Sequence, residues 1–357
     1  MKKLNYFLFL AAVLLFASSC QEENAIQESV VTPASTELTV PSDAPEFVLE
    51  LQEYLKNASQ DEVEGRSDEL SIYRYLCFKP DLSIFKTVVE SVRGLQLILD
   101  NPLLPATVFA PTNDAFVTFL ADNGFASLEE VPQGLLNQVV ANHIILGRKD
   151  VEWLHDYMKT LAYADCEVRG RLNIFTEVVD PNNAIINGMV NIVRGNQFVG
   201  RGFVHVVDKV IAPSTIVDFV ASDSQFSTLL QAVTCPSLQG AILNALTAEG
   251  AEFTLFAPTN EAFDDLAAAL GVSSVCDIPA ETLATVLAYH VKPASLAAST
   301  LARGFELKTL ADGLTLRSEL DGTQVKIVAN ASTATVIAPN LQANNGVVHG
   351  IDTVLLP

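Results

Sequence analysis

Four of the five histidines in this chain come as two matched pairs. His143 and His290 each close an apolar run, while His205 and His349 each sit in the segment Gly-x-Val-His-x-x-Asp-x-Val-x-x-Pro. Histidine serves general acid–base chemistry near neutral pH and is a frequent zinc ligand. Zinc wants three or four converging ligands, and one helical with one strand histidine falls short of that set. Leu283, Val286, Leu287 and His290 follow i, i+3, i+4, i+7 spacing, as do Leu136, Val139, Val140 and His143. That stripe places both histidines on the buried side of a helix, where hydrogen bonding to backbone is the ordinary outcome. His155, in Trp153-Leu-His-Asp, has no counterpart elsewhere. The sequence contains no Gly-x-Ser-x-Gly elbow, His-Glu-x-x-His helix or Gly-x-x-x-x-Gly-Lys-Ser/Thr loop. Carboxylates abound, but no pair stands out for glycoside chemistry. Asp321-Gly322 and Asp180-Pro-Asn-Asn183 read as turns and lack EF-hand spacing. No catalytic residue, metal or cofactor is expected.

The elements that hold these residues are duplicated. Thr107-Val-Phe-Ala-Pro-Thr-Asn-Asp-Ala-Phe116 recurs as Thr254-Leu-Phe-Ala-Pro-Thr-Asn-Glu-Ala-Phe263, and His143 recurs as His290 at the same offset. The closing segment Gly202 to Pro213 recurs as Gly346 to Pro357, three residues closer. A long period present twice means two duplicated domains, not a solenoid. Within the second copy, Ile216 to Leu246 has helical apolar spacing, Phe253 to Ala257 reads as a buried strand, and Thr259 suits a helix N-cap. Asp277 and Pro279 open a helix that runs to His290. From Phe305 onward the pattern turns to strands, with Asp321-Gly322 as a hairpin signal. Helices first and strands after imply an α+β domain.

The chain has 357 residues, with 21 Lys and Arg against 42 Asp and Glu, a net charge of -21. Such a surface repels phosphate backbones and anionic head groups, so neither nucleic acid nor electrostatic membrane attachment is expected. Residues 1–19 read as a signal peptide: Lys2 and Lys3, an apolar run from Tyr6 to Phe16, then Ala17-Ser18-Ser19. Followed by Cys20, this resembles a bacterial lipobox, with Ala17 where Leu is commonest. The resemblance implies lipidation at Cys20, making the anchor the chain's membrane contact. Gln21-Glu22-Glu23-Asn24 resembles the acidic tract that sends Bacteroidetes lipoproteins to the cell surface. The expected location is therefore the outer membrane, facing outward. Residues 20–67 are acidic and polar, with Pro33, Pro41 and Pro45, and read as a tether with one short helix over Glu46 to Asn57. The domains follow as 68–213 and 214–357 with almost no linker. Cys77, Cys166, Cys235 and Cys276 remain, two per domain. That suggests Cys77–Cys166 and Cys235–Cys276, although four cysteines permit three pairings.

Three landmarks, each found twice in the same order, carry a family resemblance. They are the Phe-Ala-Pro-Thr-Asn-x-Ala-Phe segment, the helix ending in His290 or His143, and the closing Gly-x-Val-His segment. They resemble fasciclin (FAS1) domains over roughly residues 68–357. The resemblance implies helices packed on a wedge-like β-sandwich, and roles in cell adhesion and in binding extracellular protein or matrix; the leading function is then a binding protein for extracellular protein or glycan. In animal members the Tyr-His region is linked to integrin binding, and Tyr289-His290 matches it. Asn142-His143 lacks the ring, so domain two is the better candidate if this site binds anything; packing of Tyr289 and His290 is the favoured reading. Two rival functions are a periplasm-facing envelope protein and a carbohydrate-active enzyme.

Overall fold

The duplicated sequence takes up one architecture twice in the computed structural model, which describes residues 40–58, 70–165, 170–248 and 250–357. Domain 1 begins with five short helices and a strand: α1 (Glu46–Ala58), α2 (Ile72–Cys77), α3 (Ser83–Ser91), α4 (Leu95–Leu99), β1 (Ala106–Pro111) and α5 (Asn113–Asp122). Then come α6 (Gln133–Asn142), β2 (Ile144–Leu146), β3 (Asp156–Tyr163), β4 (Arg171–Asp180), β5 (Asn183–Ile186), β6 (Val190–Val199) and β7 (Gly202–Val207). Domain 2 repeats the order with α7 (Ile216–Ser222), α8 (Ser227–Val233), α9 (Ala241–Leu246), β8 (Phe253–Pro258), α10 (Asn260–Leu270), α11 (Ala280–Tyr289) and β9 (Val291–Lys292). It ends with α12 (Ala298–Leu301), β10 (Glu306–Lys308), β11 (Thr315–Asp321), β12 (Gln324–Val328), β13 (Thr333–Ala343) and β14 (Gly346–Ile351).

Each domain has one seven-stranded sheet, ordered β2-β1-β7-β6-β5-β4-β3 in the first and β10-β11-β12-β13-β14-β8-β9 in the second. All neighbours run antiparallel except β1 with β7 and β8 with β14. Register shifts interrupt β6 at Arg194 and β13 at Ala338, and such bulges bend a strand and sharpen its twist. The sheet thereby folds over on itself and nearly closes, which matches the expected wedge. Gly346 makes the tightest approach: at φ +149°, a Cβ there would lie 2.0 Å from the Phe253 carbonyl oxygen.

The folded sheet has two apolar sides, so each domain has two cores. Outside the wedge, the helices of domain 1 cover Val108, Ala110, Val204 and Val206. Inside it lie Phe109, Ile145, Ile174, Ile186 and Val207. Period-2 alternation along β1 and β7 produces this split. Domain 2 repeats it, with Leu255 and Ala257 outside and Phe256, Leu316 and Ile327 inside.

The expected tether is corrected in part. Its helix is present as α1, but Phe47, Val48, Leu51 and Leu55 recur at helical spacing and enter the domain 1 core together with Ala44. Glu50 accepts from the Tyr163 hydroxyl and pairs with Arg171 at 2.7 Å. The first core therefore starts well before residue 68. The rest of the 20–67 segment, apart from residues 40–58, lies outside the described residues, as do the 1–19 segment, Cys20 and Cys166.

Candidate functional site

None of the four candidate recognition residues reaches solvent: Tyr289, His290, Asn142 and His143 are each at most 1 % exposed. His290 is the C-cap of α11, and its Nδ1 donates to the Val286 carbonyl at 2.7 Å. The Leu355 amide donates to its Nε2 at 2.9 Å. Because Nε2 faces an N–H, the ring proton must sit on Nδ1, and both nitrogens are used. His143 repeats this with Val139 at 2.7 Å and the Ile211 amide at 2.9 Å. Each helical histidine thus ties its helix to the chain just past the closing strand.

The strand histidines use the opposite tautomer. Asn196 and Asn340, both left-handed at φ 57° and 61°, donate their amides to Nδ1 of His205 and His349 at 3.2 Å. Nε2 then donates to the Lys149 and Leu296 carbonyls, each at 2.9 Å. Burial drives the imidazoles of His143, His290 and His349 down to about 4 and lowers that of His205. All four are neutral staples with no free nitrogen for a ligand or a proton transfer.

The residue before each helical histidine fills a different space. Tyr289 projects into the wedge core of domain 2 and donates its hydroxyl to the Thr315 carbonyl at 2.7 Å. Burial raises its pKa. Asn142 donates to the carbonyls of Ile211 and Ala212 at 3.0 and 3.2 Å and accepts from Thr160 at 3.0 Å. The recognition reading needs a surface that these side chains do not have, and their packing role is what the geometry shows.

Other duplicated polar residues escaped the sequence reading. Asn113 accepts from the Ile84 amide and donates to the Pro80 carbonyl, both at 2.9 Å; Asn260 does the same to Thr228 and Ser224 at 2.9 and 2.8 Å. Thr107 and Thr254 donate to Gly147 and Ala294, and Asp208 and Asp352 accept the amides of Asn191 and Thr335. Their recurrence in both motifs was the available signal.

Models of the fasciclin domain match residues 80–213 and 224–357. The chain belongs to the fasciclin domain family. Protein sll1483 of Synechocystis is 39% identical over 143 residues, which covers 40% of this chain and 73% of that protein. Human periostin is 30% identical over 260 residues, and pig transforming growth factor-beta-induced protein ig-h3 is 27% identical over 260. Each of those two covers 70% of this chain, which spans only 28% and 34% of their lengths. Among solved structures, the FAS1 domain pair of the insect cell adhesion molecule Fasciclin I aligns with a TM-score of 0.49 at 19% identity, covering 78% of this chain and 97% of that one.

The two fasciclin domains meet through a defined seam. Gln342 donates its amide to Asn173 Oδ1 at 3.0 Å, and Gln138 donates to Asn344 Oδ1 at 2.8 Å. Asn187 donates to Ser214 at 2.9 Å. Tyr157 of β3 stacks on Phe219 at 5.9 Å, and its hydroxyl donates to Asp223 at 2.5 Å. Beside the seam, a groove of about 630 Å³ lies between α1, α6 and β3, floored by Phe47, Leu135 and Leu161. Within domain 2, Cys235 and Cys276 are disulfide-bonded, as the two-per-domain count suggested. The companion pairing of Cys77 depends on Cys166, outside the described residues. Among the described residues, no group of three or more His, Cys, Asp or Glu is arranged to hold a metal, and no helix is long and apolar enough to cross a membrane.

Proposed function

We propose that this chain is a non-catalytic adhesion module, anchored in the outer membrane through lipidated Cys20 and binding extracellular protein or glycan at the cell surface. One observation carries the reading: both fasciclin domains commit their duplicated histidines to internal backbone bonds. These four histidines are therefore scaffold, and the exposed faces are what remains for partners. Fasciclin domains shared with periostin and ig-h3 support a cell-adhesion type role. The acidic tract after Cys20 supports outward display. A polar seam between domains favours presenting the pair as a unit, which lets both engage one target.

Brief protease treatment of intact cells, followed by immunodetection, tests the location. Cleavage with a periplasmic control untouched, and release of a Cys20→Ala variant from the membrane, are the expected results. Protection until the outer membrane is opened would overturn surface display. Turnover of a glycan by purified protein, abolished by replacing one carboxylate, would overturn the non-catalytic reading.

A further inference from the structure

Domain 2 docks on domain 1 through a face that domain 1 also possesses. The correspondence is fixed at two places. Asn196 and Asn340 share their left-handed backbone and their bond to the strand histidine, so Phe198 stands where Gln342 stands. Ser71 and Thr215 are the N-caps of α2 and α7, so Tyr75 corresponds to Phe219, Phe78 to Ser222 and Lys79 to Asp223. In domain 2 these positions form the seam: Phe219 and Asp223 hold Tyr157, Gln342 meets Asn173, and the turn at Gly188 comes within 3.3 Å of Ser222, measured from an ideal Cβ.

Among the described residues, the same face of domain 1 is uncovered and more apolar at two positions. Phe78 is 71% exposed and Phe198 is 56% exposed, where the seam has serine and glutamine. Phe198 packs edge-on to Phe203 at 5.4 Å with Arg148 over its ring at 5.0 Å, and Lys79 lies over Tyr75 at 5.1 Å. Exposed phenylalanines on a face whose twin is an interface mark a docking surface.

The receiving side is duplicated too. Domain 1 receives with β3 and β4, and domain 2 carries β10 and β11 in the same sheet positions. Tyr157 pairs with Phe175 in the first ladder as Glu306 pairs with Arg317 in the second. Buried Ile174 and Thr176 flank Phe175 just as buried Leu316 and Ser318 flank Arg317. Glu306, exposed on an edge strand, therefore holds the place of Tyr157, and Lys79 holds the place of Asp223. A copy of the seam between two chains would set Lys79 against Glu306, opposite charges at the position where the internal seam has its Tyr157–Asp223 bond.

We propose that this protein associates head to tail, the Phe78–Phe198 face of domain 1 in one copy seated on the β10–β11 edge of domain 2 in the next. Such a contact is heterologous, so it extends into a ring or an open row. The internal seam supplies the template, and the open face supplies the apolar surface that an intermolecular version needs, since it lacks the help of a shared chain.

The test uses the full chain carrying Cys20→Ala, to remove the lipid, and follows mass against concentration by sedimentation and light scattering. Mass should rise with concentration. Phe198→Ser or Phe78→Ser should weaken association roughly tenfold or more, as truncating an interface aromatic does. Both side chains are exposed, so melting temperature should stay near that of the parent. Lys79→Glu and Glu306→Lys should each weaken association, and the two combined should restore it. A chain that stays monomeric throughout, or one whose association ignores Phe198→Ser, overturns the proposal. So does failure of the paired charge reversal to restore association while both single variants remain folded; the face would then belong to a different partner.

Discussion

Tyr157 and Asp223 lie in different domains, yet the phenol donates to the carboxylate at 2.5 Å while its ring rests on Phe219. Burial first, and then the Asp223 carboxylate, hold the Tyr157 hydroxyl protonated well above the ordinary phenol range. Asp223 also accepts the Gln225 amide at 2.9 Å, so the same carboxylate orders the start of the next helical turn.

Removing the hydroxyl tests how firmly the seam holds. Tyr157→Phe should lower stability by about 1.5–3 kcal/mol, the range for a hydrogen bond to a charged group. Asp223→Asn should cost less in the Tyr157→Phe background than alone. A denaturation cycle that shows full additivity would mean the bond contributes nothing across the seam.

The histidine staples make stability depend on pH. Unfolded histidine titrates near 6.5, whereas burial holds folded His143, His290 and His349 at about 4. Between those values the unfolded chain binds protons that the folded chain does not. Stability should thus be fully present above pH 6.5 and fall as pH drops toward 4, by about 3 kcal/mol for each such histidine. His290→Ala should lower stability at neutral pH and flatten that slope in urea titrations. An unchanged slope would mean His290 titrates alike in both states.

Tyr289 separates packing from recognition. Tyr289→Phe keeps the ring in the wedge core and loses only the bond to Thr315, so it should cost about 1 kcal/mol and leave ligand binding intact. Tyr289→Ala should cost about 3–5 kcal/mol through the cavity it opens. Loss of binding in a fully folded Tyr289→Phe variant would restore the residue as a contact.

Helix α1 is the fourth test. Leu51 is wholly buried against domain 1, so Leu51→Ala should cost about 2–5 kcal/mol. If residues 40–58 were only a tether, melting would not change.

The repeat, the strand–turn–helix of the Thr-Asn motif and the burial of His290 were all legible, because apolar spacing reports them directly. Tyr289 was harder. It lies off the Leu283-Val286-Leu287 stripe, which faces the helical core, and points instead into a second core that only the bent sheet creates. Helix α1 was visible as a short helix, but acidic neighbours and prolines hid the Phe47-Val48-Leu51-Leu55 stripe that buries it. The seam had no signal of its own, since Asn173, Gln342 and Asn344 look like ordinary surface polar residues until two domains meet. Asn113 and Asn260 sat inside the most obvious motif, yet their reach back to an earlier helix is a tertiary fact.

The parallel pairing of β1 with β7 also sets an order of events. Thr107 finds its partner Phe203 only after most of the domain has been made, and β8 waits in the same way for β14. Loop-closure entropy must be met before that pairing yields anything, so neither sheet can close around its wedge core while its last strand is still unpaired. Each domain can therefore complete its sheet only once its own C-terminal segment is available, and His205 and His349, carried on β7 and β14, make their bonds only with that strand in place.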